Sequence, residues 1–400
     1  MPSLFQNKEI AAADASVWAF ILAVASIHFS PAIASISLAM ALLALLLSGP
    51  ERSIQWLGLS VALLLVLLEF LGSANHQRLL LHLPLYVAMS VQFGPLLAQR
   101  WMNRFFKLWW AWALPVIWIS LASLLEFAQH PEFYRQMVME SNPMPLFSQV
   151  YHIEYSVIQA VLVLLWLKGL LTRQVENRSM AWAALVLMIL GLHALSARTG
   201  ILAFWVGMLG LLWPYRLRLN WKYLGFVPLV VLLLSMGTMR ERLNNSWQDL
   251  QTLLQNSDPN HQSMAQRWEA WKAAWQSIQH KPLLGWGSGQ VDQAMAWSYE
   301  QQTKLNAENW IGPHNQFLEM TLQGGFLVVL LGLIWSLDFM RRSSDIAWTA
   351  GLGLAMMFES LGERQAGVLM LVLVLIFVQM ETNRLARHEK SVNEAGLLDL

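Results

Sequence analysis

The chain has 400 residues, of which 56% are hydrophobic and only 13% charged, with 21 Trp and no Cys. Soluble domains carry roughly a quarter charged residues, so that class is excluded and the composition is that of a polytopic membrane protein. A formal charge of +1 decides nothing by itself, and a chain without Cys has neither a disulfide nor a thiolate site.

Apolar runs cut by Pro, Gly and charge clusters predict an all-α, polytopic transmembrane bundle of about 12 spans. The expected spans are 16–29, 32–48, 54–72, 79–98, 105–126, 153–171, 180–196, 199–214, 222–238, 314–337, 345–360 and 365–382. The first is read as an uncleaved span, since no small-residue cleavage site follows it. With a cytoplasmic N-terminus, sixteen of the 26 Lys and Arg fall in loops of that side and six in one long outward loop. Only Arg78, Arg135, Arg198 and Arg364 fall in the short outward loops, the bias expected for this orientation and an even number of spans. The chain then divides into spans 1–9 (1–238), the long loop (239–313), spans 10–12 (314–382) and a cytoplasmic tail (383–400), with a smaller outward loop from Glu126 to Tyr151.

The long loop is the one long polar segment. Within it, Arg267 to Gln279 reads as a helix with Trp268, Trp271, Trp275 and Ile278 on one face. Such a helix would lie along the membrane surface. Its Trp rings either anchor it there or face a sugar or isoprenoid. PLLGWGSG (282–289) ends that helix with a Pro and turns on three glycines. It lacks the Lys of a phosphate loop, and no strand precedes it.

Four arginines stand at one expected depth: Arg198 in the turn SARTG, Arg240 and Arg242 leaving the next span, and Arg267 opening the Trp helix. A single such Arg reaches toward headgroups. Several together would suit a lipid pyrophosphate, because guanidinium forks bind phosphate bidentately and stay charged. His314, in GPHNQFLE, is expected in the first turn of a span, where the helix N-terminus favours a neutral imidazole able to take a proton or orient a hydroxyl. A structural histidine at an interface is the plainer reading of the same residue. Gly324 and Gly325 would allow close helix packing. His152 and Glu154 line the site or cap a helix; Glu359 is read as an ion pair with Arg364, and Glu69 and His193 as buried polar contacts. No Asp-x-Asp, carboxylate cluster or His-x-x-x-His is present, so neither a metal nor a cofactor is expected, and the arginines would supply the positive charge.

The order of SARTG, an Arg-bearing helix exit, RWEAW, PLLGWG and PHNQFLE with a following GG is similar to the O-antigen ligase and polymerase superfamily. HIEYS and ESLGERQAG also resemble it, and the likeness covers about 150–382. It implies a GT-C type glycosyltransferase of the bacterial inner membrane, with cytoplasmic termini and a periplasmic site, that moves a glycan from undecaprenyl pyrophosphate with inversion and no metal. Arg198, Arg267 and His314 would be catalytic. Arg242, Arg240, Asn315 and His152 would bind substrate. The implied partners are the undecaprenyl-pyrophosphate-linked glycan donor, a lipid A core or lipid-linked glycan acceptor and the bilayer, with no nucleic acid. A ligase is the leading reading and a polymerase with the same chemistry the alternative. A protein O-oligosaccharyltransferase ranks third. From another class, a non-catalytic lipid-linked glycan transporter would tolerate His314→Ala while needing Arg198. A membrane scaffold ranks last.

Overall fold

Backbone N–H and C=O groups facing lipid must be satisfied within their own segment, which turns apolar runs of this length into helices. The computed structural model describes residues 2–46, 52–93 except 55 and 73–76, 109–140, 147–171, 175, 177–212, and 236–376 except 256, 261, 303, 343–345 and 373. Its helices are α1 (Pro2–Ser26), α2 (Pro31–Leu46), α3 (Trp56–Gly72), α4 (Gln77–Ser90), α5 (Trp109–Gln129), α6 (Pro131–Met139), α7 (His152–Leu171), α8 (Arg178–Ala194) and α9 (Arg198–Leu212). After these come α10 (Met236–Gln255), α11 (Ser263–His280), α12 (Val291–Gln302), α13 (Gln316–Arg342), α14 (Ile346–Phe358) and α15 (Gln365–Ile376). One short antiparallel pairing joins β1 (Arg52–Ile54) to β2 (Val91–Phe93), with Arg52 opposite Phe93.

Several boundaries differ from the sequence pattern. The span expected at 79–98 ends as helix at Ser90 and continues as β2, just ahead of the helix-stopping pair Gly94 and Pro95 in the sequence. The span expected at 222–238 lies outside the described residues up to Met236, as do 105–108 and 377–382. Among the described residues, two helical segments, His152–Leu171 and Gln316–Asp338, are long and apolar enough to cross a membrane alone. Ala113–Gln129 joined to Pro131–Met139 makes a third candidate, bent by 100°. Shorter apolar helices accompany them, including Asp14–Ser26, Arg178–Ala194 and Arg198–Leu212.

Helix α7 is the buried axis, covered from Glu154 to Leu170. Its tight neighbour is α9: a Cβ on Gly200 would run into Ser156, and one on Gly207 into Leu164. Gly351 of α14 meets the Ala203 carbonyl and Gly207 on the other side of α9. Small residues at such crossings let apolar helices touch along their backbones, the main attraction left where lipid is as apolar as the side chains. Polar cross-links hold the register: Gln159 donates to Ser120 Oγ and the Met188 carbonyl, both at 2.9 Å, and Trp166 donates to the Ala181 carbonyl at 2.9 Å.

The turns expected on one side do meet at one end. His28 O accepts from Ser148 Oγ (2.6 Å) and from the Gln149 amide (3.1 Å). Arg135 pairs with Glu241 at 2.9 Å, Arg364 with Glu154 at 3.0 Å, and His82 Nε2 donates to the Gly362 carbonyl at 2.7 Å. These contacts join the α1–α2 turn to the segment before α7, α6 to α10, and the turn after α14 to α7 and α4, in one layer.

That layer is more helical than the sequence pattern indicates, since α10 and α12 join α11 in it. The face that α11 buries overlaps the expected Trp face only in part, through Ile278 and Trp271. Ala270, Ala273, Ala274 and Ile278 pack on Val291, Met295 and Tyr299, while Trp268 and Trp275 stay half exposed. Small side chains bring α11 and α12 close enough for Ser277 Oγ to donate to the Ala294 carbonyl at 2.7 Å.

The PLLGWG turn and the GG pair prove to be two halves of one joint. Gly325 has φ 67 and ψ −171 and breaks α13. The carbonyls of Leu322 and Gln323 then accept from the Trp286 (2.7 Å) and Gly287 (2.9 Å) amides, and the Phe326 amide donates to the Pro282 carbonyl at 2.8 Å. A Cβ on Gly325 would collide with the Leu283 backbone. The close packing expected of the glycine pair is therefore against this turn rather than against another helix. Gly325→Ala is expected to cost more than about 1 kcal/mol, since positive φ and the collision both oppose it. A lower melting temperature of the purified protein in detergent would show this, and an unchanged one would refute the joint.

Candidate functional site

Three segments far apart in sequence meet at one carboxylate. Arg267, in the second turn of α11, donates from Nη1 to the Phe358 carbonyl at 2.6 Å and from Nη2 to Glu359 Oε1 at 2.5 Å. His314 Nδ1 faces Glu359 Oε2 at 3.3 Å. Glu359 lies in the turn after α14, its side chain 7% exposed. Burial by itself would raise its pKa, but the hydrogen bond from His314 and the Arg267 charge outweigh this and hold the carboxyl below its ordinary value. The ion pair expected between Glu359 and Arg364 is therefore corrected. Arg364 instead pairs with Glu154 and lies over the Tyr151 ring, 4.6 Å from its centroid.

His314 also differs from expectation in position. Helix α13 starts at Gln316, so His314 stands two residues before it with φ 45. Positive φ at a residue with a Cβ is uncommon and persists where the surroundings impose it. Here Trp271 imposes it in part, by donating from Nε1 to the Pro313 carbonyl at 2.8 Å. That Trp ring faces inward, toward Phe358, so the Trp residues of α11 split between the two readings of them. The tautomer that donates from Nδ1 to Glu359 is the one whose Nε2 lone pair can accept a proton.

Asn315 caps α13. Its Oδ1 accepts from the Phe317 amide at 3.0 Å and the Leu318 amide at 3.2 Å, as N-cap residues do. Asn315→Ala should cost about 1 kcal/mol of stability. Asn315→Ser keeps the cap. If transfer stays low in the Ser variant while its melting temperature recovers, the Asn amide also touches substrate; recovery of both leaves the residue as a cap.

Arg198 opens α9 after Ser196, which has φ 52. Its Nη1 pairs with Asp249 Oδ2 at 2.9 Å, and Asp249, 2% exposed, accepts the Met264 amide on Oδ1 at 3.0 Å. Met264 is three residues before Arg267, less than one helical turn. Asp249 thus ties Arg198 to the start of the helix that carries Arg267. Neither Asp249 nor the role of Glu359 was read from the sequence. Each guanidinium has five N–H donors, so one carboxylate contact leaves others able to reach an anion. The side chains of Arg240 and Arg242 lie outside the described residues, although both positions are in α10.

His152 lies at the start of α7, its ring edge-on to Tyr151 at 4.6 Å. His193 is a satisfied core residue: Nδ1 donates to the Ile189 carbonyl at 2.8 Å, and Nε2 accepts from Trp205 at 3.1 Å. The side chain of Glu69 is outside the described residues. Among the described residues no group of three His, Asp or Glu is arranged to hold a metal ion.

Next to the cluster opens a cavity of about 390 Å³. Its polar lining includes His82, Ser288, Gln316, Gln323 and Glu363, and the rest is apolar, with Val328, Leu333, Met356 and Leu371 among it. Gln316 Oε1 accepts the Gly362 amide at 2.5 Å, and Gln323 donates to Glu363 at 2.7 Å, which fixes this rim beside Glu359.

The O-antigen ligase family model matches residues 183–334. This stretch, under half of the chain, is similar to O-antigen ligases. No curated protein matches the chain. The matched stretch starts within α8 and ends within α13, so it contains Arg198, Asp249, Arg267 and His314, whereas Glu359 and Arg364 follow it. The match agrees with the superfamily suggested by the order of motifs, over 183–334 of the 150–382 that the likeness covers. Its members are glycosyltransferase-type ligases and polymerases.

Proposed function

We propose that the protein is an inner-membrane GT-C glycosyltransferase of about twelve spans, acting at the periplasmic face, that moves a glycan from undecaprenyl pyrophosphate to an acceptor hydroxyl. The observation that carries this is the junction at Glu359, where a guanidinium and an imidazole are held side by side next to a largely apolar cavity. In the reaction, the acceptor oxygen bonds to the anomeric carbon as the carbon–oxygen bond to the lipid diphosphate breaks. The hydroxyl proton passes to His314 Nε2, with Glu359 holding the tautomer from the other side. The electron pair leaves with the diphosphate, whose added charge Arg267 and Arg198 stabilise through their remaining N–H donors. The rim of the cavity suits the head of an amphiphile and its depth the first part of a hydrocarbon chain.

Lipid A core is the acceptor of the ligase reading. A polymerase would use the same groups on a lipid-linked repeat. A transfer assay with purified protein, undecaprenyl-pyrophosphate glycan and both acceptors, with EDTA throughout, separates them. Product on lipid A core marks a ligase, and a ladder on the lipid-linked repeat marks a polymerase. No product with either, from donors competent in a control enzyme, refutes transfer and favours a transporter.

A further inference from the structure

Helix α10 is amphipathic the wrong way round for a helix in water. Leu243, Trp247, Leu250 and Leu254 recur at i, i+4, i+7 and i+11, a stripe roughly 60° wide at 3.6 residues per turn. All four are between 43% and 76% exposed. The opposite face carries Glu241, Asn245 and Asp249 at i, i+4 and i+8, and these are buried. Each is bonded to protein: Glu241 to Arg135, Asn245 Nδ2 to the Val138 carbonyl at 2.9 Å, and Asp249 to Arg198 and the Met264 amide. A polar face spent on the protein and an apolar face turned outward are consistent with an apolar medium outside.

Exposed apolar surface recurs on the helices to which α10 is joined. Phe326, Leu330, Leu333 and Leu337 are exposed on the membrane-length part of α13. The half-exposed Trp275 of α11 lies edge-on against Phe326, with centroids 6.4 Å apart. Helix α11 in turn is tied to α10 by the Asp249 bond to its second residue. We propose that α10 lies in the outward leaflet of the bilayer, with the Leu243–Leu254 stripe among the acyl chains and its polar flank at the headgroups. Apolar area on such a helix sets its affinity for the interface. Asp249, on the inner side of the same helix, is then fixed at headgroup depth together with Arg198 and the first turn of α11. On the transfer reading, this is the level at which a lipid-borne diphosphate presents itself.

The chain has no Cys, so single cysteines can be placed without other changes. Leu250→Cys and Leu254→Cys on the stripe, and Asn244→Cys and Gln251→Cys on the flank, would be nitroxide-labelled in the full chain reconstituted into phospholipid vesicles. Power-saturation EPR with oxygen and with a water-soluble nickel chelate reads their depth. The proposal expects oxygen to dominate at 250 and 254 and the chelate to dominate at 244 and 251. Chelate access at all four would overturn it in favour of an aqueous helix. Exclusion of both reagents at 250 and 254, with dipolar broadening between labels, would overturn it in favour of a second copy packed on the stripe. The readout needs no turnover, so failure of the transfer reading would leave it standing.

Discussion

His314→Asn is expected to abolish glycan transfer while leaving the fold intact. General-base catalysis contributes about 10²–10⁴-fold in rate, and Asn has no group of comparable basicity. The choice of Asn rather than Ala comes from the backbone. His314 has φ 45, and Asn is among the few residues that enter this region readily. The variant therefore keeps the turn that Trp271 holds through the Pro313 carbonyl. The expected result is a rate lower by 10²-fold or more, with unchanged melting temperature and unchanged binding of the lipid-linked donor. If the variant transfers at near-normal rate, His314 is a structural residue and the proton goes elsewhere. If donor binding falls with the rate, His314 contacts the diphosphate instead of the acceptor.

The sequence exposes those parts of this site whose chemistry is out of place. Arg198 and His314 stand out because charged or titratable side chains at the ends of apolar runs need a reason, and Arg267 because it opens the Trp helix of the long loop. Asp249 does not, since it sits in the polar stretch NNSWQDLQ, where an acidic residue is ordinary. Its signal was the pattern of Glu241, Asn245 and Asp249 facing away from Leu243, Trp247, Leu250 and Leu254, which would also have revealed α10. Glu359 was assigned to Arg364 because five residues separate them and 92 separate Glu359 from Arg267. Spacing along the chain favours the local partner, but α14 ends at Phe358 and turns the carboxylate toward α11. The same limit hid the break in α13. Two glycines in an apolar run read as a packing site, and the turn that fills the gap lies some forty residues earlier.

Removing the Arg267 charge should have two separable consequences. Arg267→Met deletes a cation from the diphosphate site, and by analogy with loss of one oxyanion donor the rate should fall by about 10²–10³. It also leaves Glu359 buried with His314 as its remaining partner, and stripping one member from a buried ion pair costs about 3–5 kcal/mol. A lower rate would then be ambiguous between misfolding and lost chemistry. The double variant Arg267→Met, Glu359→Gln, compared with Glu359→Gln alone, resolves this, because replacing both members of such a pair is often neutral in stability and the single variant carries any loss due to Glu359 itself. The expected outcome is a melting temperature near that of the parent and transfer still lower by at least 10²-fold. Arg267→Lys should be intermediate in stability but low in transfer, since a point charge cannot hold the Phe358 carbonyl, Glu359 and a phosphate oxygen together as the planar fork can. Transfer restored along with stability in the double variant would mean that Arg267 only braces Glu359, and would leave the diphosphate to Arg198 and the first turn of α11.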